Sequence, residues 1–325
     1  MDRQAGVREM KAIVIDNYGG VDRLHLREVP DPRPKADEVL VRVRAAGVNP
    51  LDWKIRQGQL RFIIRPSFPY VPGSDIAGEV VTAGEAAPFK SGDPVVGFVA
   101  PRRGGGYAEL AAARETAVAL KPSSLSFTEA ASLPTAACTA LQALRDLGKL
   151  SEGANALILG GAGGVGHFAV QIAKALGATT SATCGPSNTE FVQSLGADHV
   201  INYSGNDIPT QLVCYNVIFD AVAKSSFAVC QPLLAPGGIY VTTLPTPSLF
   251  FWSGIQSIAG ILRKVKRTKG ILVRHSGKDI AFLSQLADEA KLRPTVSIRL
   301  PLDRAAEAHE ASEGGHTRGK IVLEV

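Results

Sequence analysis

The sequence lacks any long hydrophobic run: no stretch approaches the roughly 18 consecutive apolar residues of a transmembrane helix. Its first ten residues have no apolar segment, so we expect no secretory signal. Cysteine is also scarce, with four residues in the chain. They lie far apart and form no C-x-x-C pair, at Cys138, Cys184, Cys214 and Cys230. Such spacing excludes a disulfide scaffold and predicts reduced thiols in a cytoplasmic protein.

The sequence has little excess charge of either sign. Lys and Arg number 35 against 30 Asp and Glu, for a net charge of +5. This balance suits an anionic cofactor but gives no reason to expect a nucleic-acid partner. The hydrophobic fraction of 45% and the charged fraction of 20% are those of a globular protein. A chain of 325 residues is long enough for two domains with their own cores.

Glycine is abundant, with 33 residues, and residues 160–166 (GGAGGVG) form its most informative cluster. An apolar run at 156–159 precedes this cluster, and a stretch with helical spacing follows it. Gly161, Gly163 and Gly166 have the G-x-G-x-x-G spacing that lets a backbone turn tightly, approach a pyrophosphate and pack a helix on a strand. The alternative is a turn that only joins strand to helix. Because strand, turn and helix follow in the required order, we predict a dinucleotide site at Gly161, Ala162, Gly163, Gly164, Val165 and Gly166.

The chain changes character near Ser126. Residues 10–120 contain short β-branched runs broken by Gly and Pro, which is typical of an irregular β domain. Strand and helix patterns then alternate as in a Rossmann doubly wound parallel sheet, and the chain ends in a strand at 320–325. The predicted fold class is therefore α/β, with a β domain at 1–125, a Rossmann domain at 126–290 and a returning tail at 291–325.

Five motifs lie outside the glycine loop: VNPLDWKI at 48–55, FPYVPGSDIAGEV at 68–80, GGGYAE at 104–109, TALQAL at 139–144 and GKIV at 319–322. They resemble motifs of the medium-chain dehydrogenase/reductase superfamily, within its quinone oxidoreductase-like branch of chloroplast-envelope quinone oxidoreductase homologues and alkenal/enone reductases. The resemblance covers essentially the whole chain. It implies a GroES-like β-barrel as the first domain, an enone or a quinone as the small-molecule substrate, and a homodimer.

The zinc ligands of related alcohol dehydrogenases are missing. Their ligand cysteine and their His-Glu pair match Asn49, Ser74 and Asp75, and an amide and a hydroxyl do not replace thiolate and imidazole. We therefore predict that the protein binds no metal. Without a Lewis acid, alcohol oxidation loses its usual mechanism, whereas hydride addition to the polarised C=C of an enone, or to a quinone, needs mainly positioning and hydrogen-bond donors.

The end of the second Rossmann strand favours NADPH over NADH. NAD-specific sites place an acid there for the ribose 2′-hydroxyl, and the segment Cys184–Asn188 contains none. The resembling enzymes usually have a basic residue in this segment; here Ser187 or Asn188 takes its place, and Lys174 is predicted to supply the charge. Tyr203 matches a tyrosine of the family's adenosine pocket, and its alternative is a half-buried strand aromatic.

At the nicotinamide end, the resemblance points to Asn49, Thr139 and the loop Thr242, Thr243 and Leu244, and Lys320 is predicted as a further cofactor-binding residue. The loop also agrees with the rule that ligands bind at the carboxyl ends of parallel strands. Two of these residues have simpler alternatives: Asn49 as a turn residue before a proline, and Thr139 as a helix cap.

The predicted catalytic residues are Lys54, Asn49 and Tyr70. Lys54 matches a lysine near the substrate carbonyl in related enone reductases, where an ammonium stabilises a developing enolate; the alternative is a solvated helix lysine. Tyr70 is predicted as a pocket wall or proton donor, or as a residue that simply packs. The expected reaction is hydride transfer to the β-carbon, followed by protonation of the α-carbon by solvent or a nearby donor.

An apolar stretch at 249–262 precedes a basic run at 263–269. It favours a cover for the substrate cleft or a dimer interface, and its alternative is peripheral contact with an anionic membrane surface. A second class of function stays open as well: an NADPH-binding sensor or scaffold with little catalysis.

Overall fold

The structure is a computed structural model that describes residues 8–84, 87–202, 214–243 and 265–325. The predicted site residues Tyr203 and Leu244, and the segment 249–264, lie outside this part of the chain. The described residues form two compact units. The first comprises Met1–Thr135, His275–Asp288 and Val296–Val325, and the second comprises Ala136–Arg274 and Glu289–Thr295.

The strands of the described chain are β1 (Glu9–Val14), β2 (His25–Pro30), β3 (Glu38–Val48), β4 (Asp75–Thr82), β5 (Pro94–Phe98), β6 (Leu110–Arg114), β7 (Val118–Leu120), β8 (Asn155–Leu159), β9 (Thr179–Cys184), β10 (His199–Asn202), β11 (Tyr215–Asp220), β12 (Leu234–Thr242), β13 (Arg267–Gly270), β14 (Val296–Pro301) and β15 (Lys320–Glu324). Its α-helices are α1 (Pro50–Arg56), α2 (Phe127–Ala130), α3 (Pro134–Leu141), α4 (Gly166–Ala175), α5 (Thr189–Ser194), α6 (Phe227–Cys230), α7 (Gly277–Asp288) and α8 (Ala305–Glu313).

The second unit is built on a parallel sheet with the strand order β10-β9-β8-β11-β12-β13. Its two central strands are buried on both faces, as Leu157, Ile158, Ile218 and Phe219 show with no exposed surface. The chain order of the strands reverses between β8 and β11, which makes their carboxyl ends the switch point where ligands of doubly wound sheets bind. The predicted Rossmann sheet is confirmed.

The first unit is built on a mostly antiparallel sheet with the order β14-β15-β3-β4-β5-β7, and β6 pairs with β3. Val39, Val41 and Val43 alternate along β3 and point into its core, as period-2 packing requires. The last strand, β15, pairs antiparallel with β3, so that Ile321 lies opposite Val48. The predicted barrel-like β domain is confirmed.

The units are divided differently from the predicted segments 1–125, 126–290 and 291–325. Helix α7 belongs to the first unit, although it follows the last strand of the Rossmann sheet in sequence. It packs on β7, where the Ser284 hydroxyl donates to the Leu120 carbonyl oxygen at 3.3 Å. Among the described helices, none is both long and apolar enough to cross a bilayer.

Candidate functional site

The glycine loop follows β8 at the centre of the Rossmann sheet. It is tied to the neighbouring strand β9 by two hydrogen bonds: the Gly161 amide donates to the Thr183 carbonyl oxygen at 2.8 Å, and the Gly160 amide donates to the Thr183 hydroxyl at 3.0 Å. Gly160 has a φ of +79°, a conformation that glycine adopts without strain. The sequence thus turns the chain sharply at the carboxyl edge of the sheet.

The glycines of the motif differ in what a side chain would meet. A Cβ at Gly166 would lie 1.9 Å from the Gly160 carbonyl oxygen, and one at Gly161 would lie 3.0 Å from the Ala182 Cβ. These two positions are filled by the protein itself. A Cβ at Gly163 would only reach the Gly160 oxygen, at 3.5 Å, so the protein leaves room there. The backbone at Gly163 is therefore the part of the loop that a ligand can approach closely.

The loop also presents backbone donors. Within the described residues, no acceptor is found for the amide N–H groups of Ala162, Gly164 and Val165. They stand at the start of α4, where the helix dipole adds a partial positive charge. Unpaired N–H groups at a helix N-terminus, beside a glycine with open space, fit the pyrophosphate of a dinucleotide.

The carboxyl ends of neighbouring strands bring further predicted residues to the same edge of the sheet. Strand β9 ends at Cys184, which is buried, and burial raises the pKa of its thiol. Ser187 and Asn188 follow in a short 3-10 turn, with Ser187 exposed and Asn188 half-buried. Thr242 and Thr243 stand at the end of β12. The predicted adenosine and nicotinamide segments thus share one edge with the glycine loop.

Lys174 lies elsewhere. It is in the last turn of α4, about 12 Å along the helix from Gly166. Its ammonium binds both carboxylate oxygens of Asp198, at 2.9 and 2.8 Å, and Asp198 also accepts from the Thr180 amide near the start of β9. This is the amino edge of the sheet, opposite the turn that holds Ser187. The structure therefore does not bring Lys174 to the segment where it was expected to supply charge.

Asp220 is a residue of this edge that the sequence analysis missed. It ends β11 at the switch point and has no exposed surface. Its carboxylate accepts from the Tyr240 hydroxyl at 2.9 Å and from the Ser225 and Val222 amides at 2.8 and 3.2 Å, which holds the turn after β11 in place. The signal was present in the sequence, because an aspartate follows the apolar residues 217–219 at the end of the strand.

Thr139, the other predicted nicotinamide contact in the second unit, lies in α3. Its exposed fraction is 8%, which leaves only a small part of the side chain accessible.

In the first unit, Asn49 and Lys320 meet inside a buried polar cluster. The Lys320 ammonium donates to the Asn49 side-chain oxygen and, at 3.0 Å, to the Val48 carbonyl oxygen. The Asn49 amide group donates to Asp75 at 2.9 Å, and Asp75 also accepts from the amide and hydroxyl of Thr135. Burial lowers the pKa of Lys320, and the carboxylates of Asp75 and Asp52 oppose that shift.

A second chain of hydrogen bonds runs from this cluster through residues that the sequence analysis did not select. Asp52 accepts from the Asn49 backbone amide at 2.8 Å and from the Tyr107 hydroxyl at 3.2 Å. The Tyr107 hydroxyl is hydrogen-bonded to Nε2 of His309 at 3.3 Å, and Nδ1 of His309 accepts from the buried Arg56 guanidinium. Burial and the neighbouring Asp75 raise the pKa of Asp52 to about 7, and burial lowers the pKa of His309 to about 3.

The cluster does not fit zinc. At the positions of the zinc ligands, the Asn49 oxygen already accepts from an ammonium, and Asp75 is held by Asn49 and Thr135. Lys320 itself supplies the positive charge that these carboxylates attract. No group of three or more His, Cys, Asp or Glu side chains in the described chain is arranged to hold a metal ion.

Lys54 and Tyr70 have different environments. Lys54 is half-buried on α1, with its ammonium 5.3 Å from the centre of the Trp53 ring, and no ion pair is found for it among the described residues. Tyr70 is 2% exposed, and its hydroxyl donates to the Pro101 carbonyl oxygen at 2.7 Å. Lys54 is therefore available to a substrate, whereas the hydroxyl proton of Tyr70 is already committed.

His275 is another residue that no sequence pattern indicated. Its half-buried imidazole stacks on the Phe98 ring, with ring centroids 4.5 Å apart and planes 10° apart. Phe98 ends β5 directly opposite Asp75 of β4, so the stack lies beside the polar cluster.

Comparisons with known proteins agree with this architecture. The family model described as "Alcohol dehydrogenase GroES-like domain" matches residues 35–123, and the one described as "Zinc-binding dehydrogenase" matches residues 195–323. The chain is 36% identical over 326 residues to the "Chloroplast envelope quinone oxidoreductase homolog" of Arabidopsis thaliana, which covers 97% of this chain and 98% of the relative.

Two further relatives cover nearly the whole chain. The "NADPH-dependent alkenal/one oxidoreductase, chloroplastic" of Arabidopsis thaliana is 36% identical, over 97% of this chain and 80% of the relative. The solved structure of the quinone oxidoreductase from Coxiella burnetii has a TM-score of 0.85 and 34% identity, over 98% of this chain and 100% of that one.

Proposed function

The chain belongs to the medium-chain dehydrogenase/reductase superfamily, in its quinone oxidoreductase-like branch, and from this premise we propose that it is an NADPH-dependent oxidoreductase that transfers hydride to an enone, an alkenal or a quinone without a metal ion. The observation on which the proposal rests is the glycine loop at the switch point. There the open backbone at Gly163 and the unpaired N–H groups of Ala162, Gly164 and Val165 form a cradle for a pyrophosphate.

The cofactor is held by residues along the carboxyl edge of the Rossmann sheet. The glycine loop holds the pyrophosphate. Ser187 and Asn188 contact the 2′-phosphate, because their side chains can donate hydrogen bonds and they lie directly after β9. Thr139, Thr242 and Thr243 contact the nicotinamide end. When bound, the reduced nicotinamide supplies a hydride. We leave Lys174 out of this set, since its ammonium is paired with Asp198 at the other edge.

In the first unit, Lys54 is the proposed donor to the substrate oxygen. Its half-buried ammonium has no carboxylate partner within the described residues, so a substrate carbonyl does not have to displace one. A cation beside this oxygen stabilises the enolate that hydride addition creates. We propose Tyr70 as a packed wall of the site. Cofactor contacts of Asn49 and Lys320 stay predictions, and both side chains hold each other in the interior.

Relatives of this branch suggest substrates by name: one is named for alkenals and enones, another for quinones, and a tomato relative is named "2-methylene-furan-3-one reductase". The feature that these named substrates share is a C=C or C=O bond that is already polarised. Reduction of such a bond needs no Lewis acid, in agreement with a cluster that holds an ammonium in place of zinc. A homodimer in the cytoplasm remains our prediction, although four of the relatives are named for the chloroplast.

The test is consumption of NADPH and of NADH by the purified protein with an aliphatic enone, an alkenal, a quinone and, in the reverse direction, a simple alcohol with NADP⁺. We expect turnover of the enone, alkenal or quinone with NADPH, unchanged by a chelator, and substoichiometric zinc by elemental analysis. The control is Lys54→Met, which should bind NADPH normally but turn over slowly. Binding of NADPH without turnover of any substrate would contradict the proposal and favour a sensor or scaffold.

A further inference from the structure

His275 is a titratable side chain beside the polar cluster, and the proposed reaction assigns it no role. It lies in the first unit, half-buried, against Phe98. Because Phe98 lies directly opposite Asp75 in the β4–β5 pair, the ring is near the Asn49–Asp75–Lys320 cluster. Other polar side chains in this region, such as Asn49, Asp52 and Asp75, are fully engaged in hydrogen bonds within the protein.

The imidazole of His275 differs from these neighbours. Among the described residues, neither ring nitrogen has a hydrogen-bond partner, and the contact that holds the ring is its stack on Phe98. His275 is half-buried, and its ring nitrogens keep some exposed surface, so water or a ligand can reach them. A ring held by one face, with its nitrogens at the edge left unpaired, is oriented to donate to something outside the protein.

The place of His275 in the chain is the second observation. It follows the end of β13, the last strand of the Rossmann sheet, by five residues. Ligands of doubly wound sheets bind at the carboxyl ends of the strands. His275 is thus the first residue of the first unit after the last described strand of the Rossmann sheet, and within the first unit it lies near Asp75, one of the residues matched to the zinc ligands of related dehydrogenases.

We propose that His275 is a catalytic residue that donates a hydrogen bond from its imidazole N–H to the carbonyl oxygen of the substrate. The inference rests on the proposed enone or quinone reduction and adds a second donor to Lys54. With an enone, the substrate gains a hydride at its β-carbon, its π electrons move to the oxygen as an enolate, and solvent protonates the α-carbon to give the saturated carbonyl. The nicotinamide is the two-electron reductant, and His275 keeps its proton throughout.

The protonation state of the ring agrees with this role. Burial lowers the pKa of His275, and the nearby Asp75 only partly opposes the shift. The imidazole is therefore neutral at pH 7, with one N–H donor and no net charge to attract a counter-ion. A neutral donor that is already oriented stabilises developing negative charge without the cost of reorganisation.

Two substitutions separate the donor from the stack. His275→Phe keeps an aromatic ring against Phe98 but has no N–H group, whereas His275→Gln keeps a donor and loses the ring. We expect His275→Phe to lower kcat for an enone by about 100-fold, as for the loss of an oxyanion donor, and His275→Gln to recover part of it. The Kd for NADPH, measured by fluorescence, should stay within about twofold (about 0.4 kcal/mol) in both variants, because His275 is not one of the residues proposed to hold the cofactor.

A readout independent of turnover is the carbonyl stretch of a ¹³C-labelled enone, bound with NADP⁺ and measured by difference infrared spectroscopy. In the wild-type protein the stretch should lie at a lower frequency than in His275→Phe, because a hydrogen bond weakens the C=O bond. An equal frequency, or an equal kcat, in the two proteins would overturn the proposal. If His275→Phe does not fold, the wild-type complex alone decides: a carbonyl stretch at the same frequency as that of the free enone would overturn the proposal. Absence of turnover in the wild type would instead reject the proposed function.

Discussion

At the scale of single residues, the glycine motif contains positions with separate duties. Gly161 and Gly166 are required by the protein, since a side chain there would run into Ala182 and Gly160. Gly163 is not: its φ is not left-handed and its surroundings are open. Of these three glycines, Gly163 is therefore the one whose missing side chain leaves space for a ligand.

This difference leads to a paired prediction. Gly163→Ala should raise the Kd for NADPH tenfold or more, a loss of about 1.4 kcal/mol, while the free energy of unfolding stays within about 1 kcal/mol of the wild type. Gly166→Ala should lower the free energy of unfolding by about 3 kcal/mol or more, because its Cβ overlaps a backbone oxygen. Cofactor titration and urea unfolding measure the two effects. Equal loss of stability in both variants would refute this assignment.

Asp52 gives the second prediction at this scale. Its pKa in the folded chain is about 7, against an ordinary value of 3.8, because it is buried beside Asp75. Between about pH 4 and about pH 7, the folded state thus holds a proton that the unfolded state has released, and stability falls as the pH rises, by up to about 1.4 kcal/mol per unit. Asp52→Asn removes this proton and should flatten the dependence.

The measurement for Asp52 is urea unfolding across this pH window. Asp22→Asn, which changes an aspartate with an exposed side chain, is the matched control and should keep the wild-type slope. An Asp52→Asn variant with an unchanged slope would show that the carboxyl of Asp52 is ionised throughout.

At the scale of elements, the two ends of β9 lie beside different residues that the sequence analysis had assigned together to the 2′-phosphate. The carboxyl end continues into the turn with Ser187 and Asn188, and the amino end lies beside the Lys174–Asp198 ion pair. Only the first end shares its edge with the glycine loop. We therefore propose that discrimination between NADPH and NADH depends on the turn after β9 and not on α4.

A substitution on each side tests this division. Ser187→Asp places a negative charge near the 2′-phosphate and should lower the ratio of kcat/KM for NADPH to that for NADH by tenfold or more, about 1.4 kcal/mol of repulsion. Lys174→Met should leave the ratio unchanged and cost less than about 1 kcal/mol of stability, as expected for a partly exposed ion pair. The opposite pattern would return the phosphate contact to Lys174.

At the scale of the whole molecule, the chain begins and ends in the same unit. Strand β15 pairs with β3, and Lys320, at the start of β15, reaches Asn49 across 271 positions of sequence. The last residues thus complete the interior of a unit whose other described strands, apart from β14, lie within the first 120 residues of the chain. The buried ammonium of Lys320 balances the charge of nearby carboxylates and donates to the Val48 carbonyl oxygen and the Asn49 side-chain oxygen.

Lys320→Met should therefore lower the free energy of unfolding by about 3 kcal/mol, since it leaves buried acceptors and carboxylates without a cation. The double variant Lys320→Met/Asp75→Asn should lose less than the sum of its single variants, because the charge left unpaired is removed as well. Lys291→Met, which changes an exposed lysine, is the control in the same urea unfolding experiments. Additive losses in the double variant would rule out this coupling.

The sequence by itself determined the Rossmann sheet, the β domain and the position of the glycine loop, because each depends on patterns within a few residues: apolar runs, turn residues and glycine spacing. The tertiary structure decided which side chains meet. The pairing of Lys174 with Asp198, the partners of Asn49, Asp75 and Lys320, and the stack of His275 on Phe98 all join distant segments. No local pattern records such contacts, since they arise only when strands are laid side by side and their polar groups are withdrawn from water together.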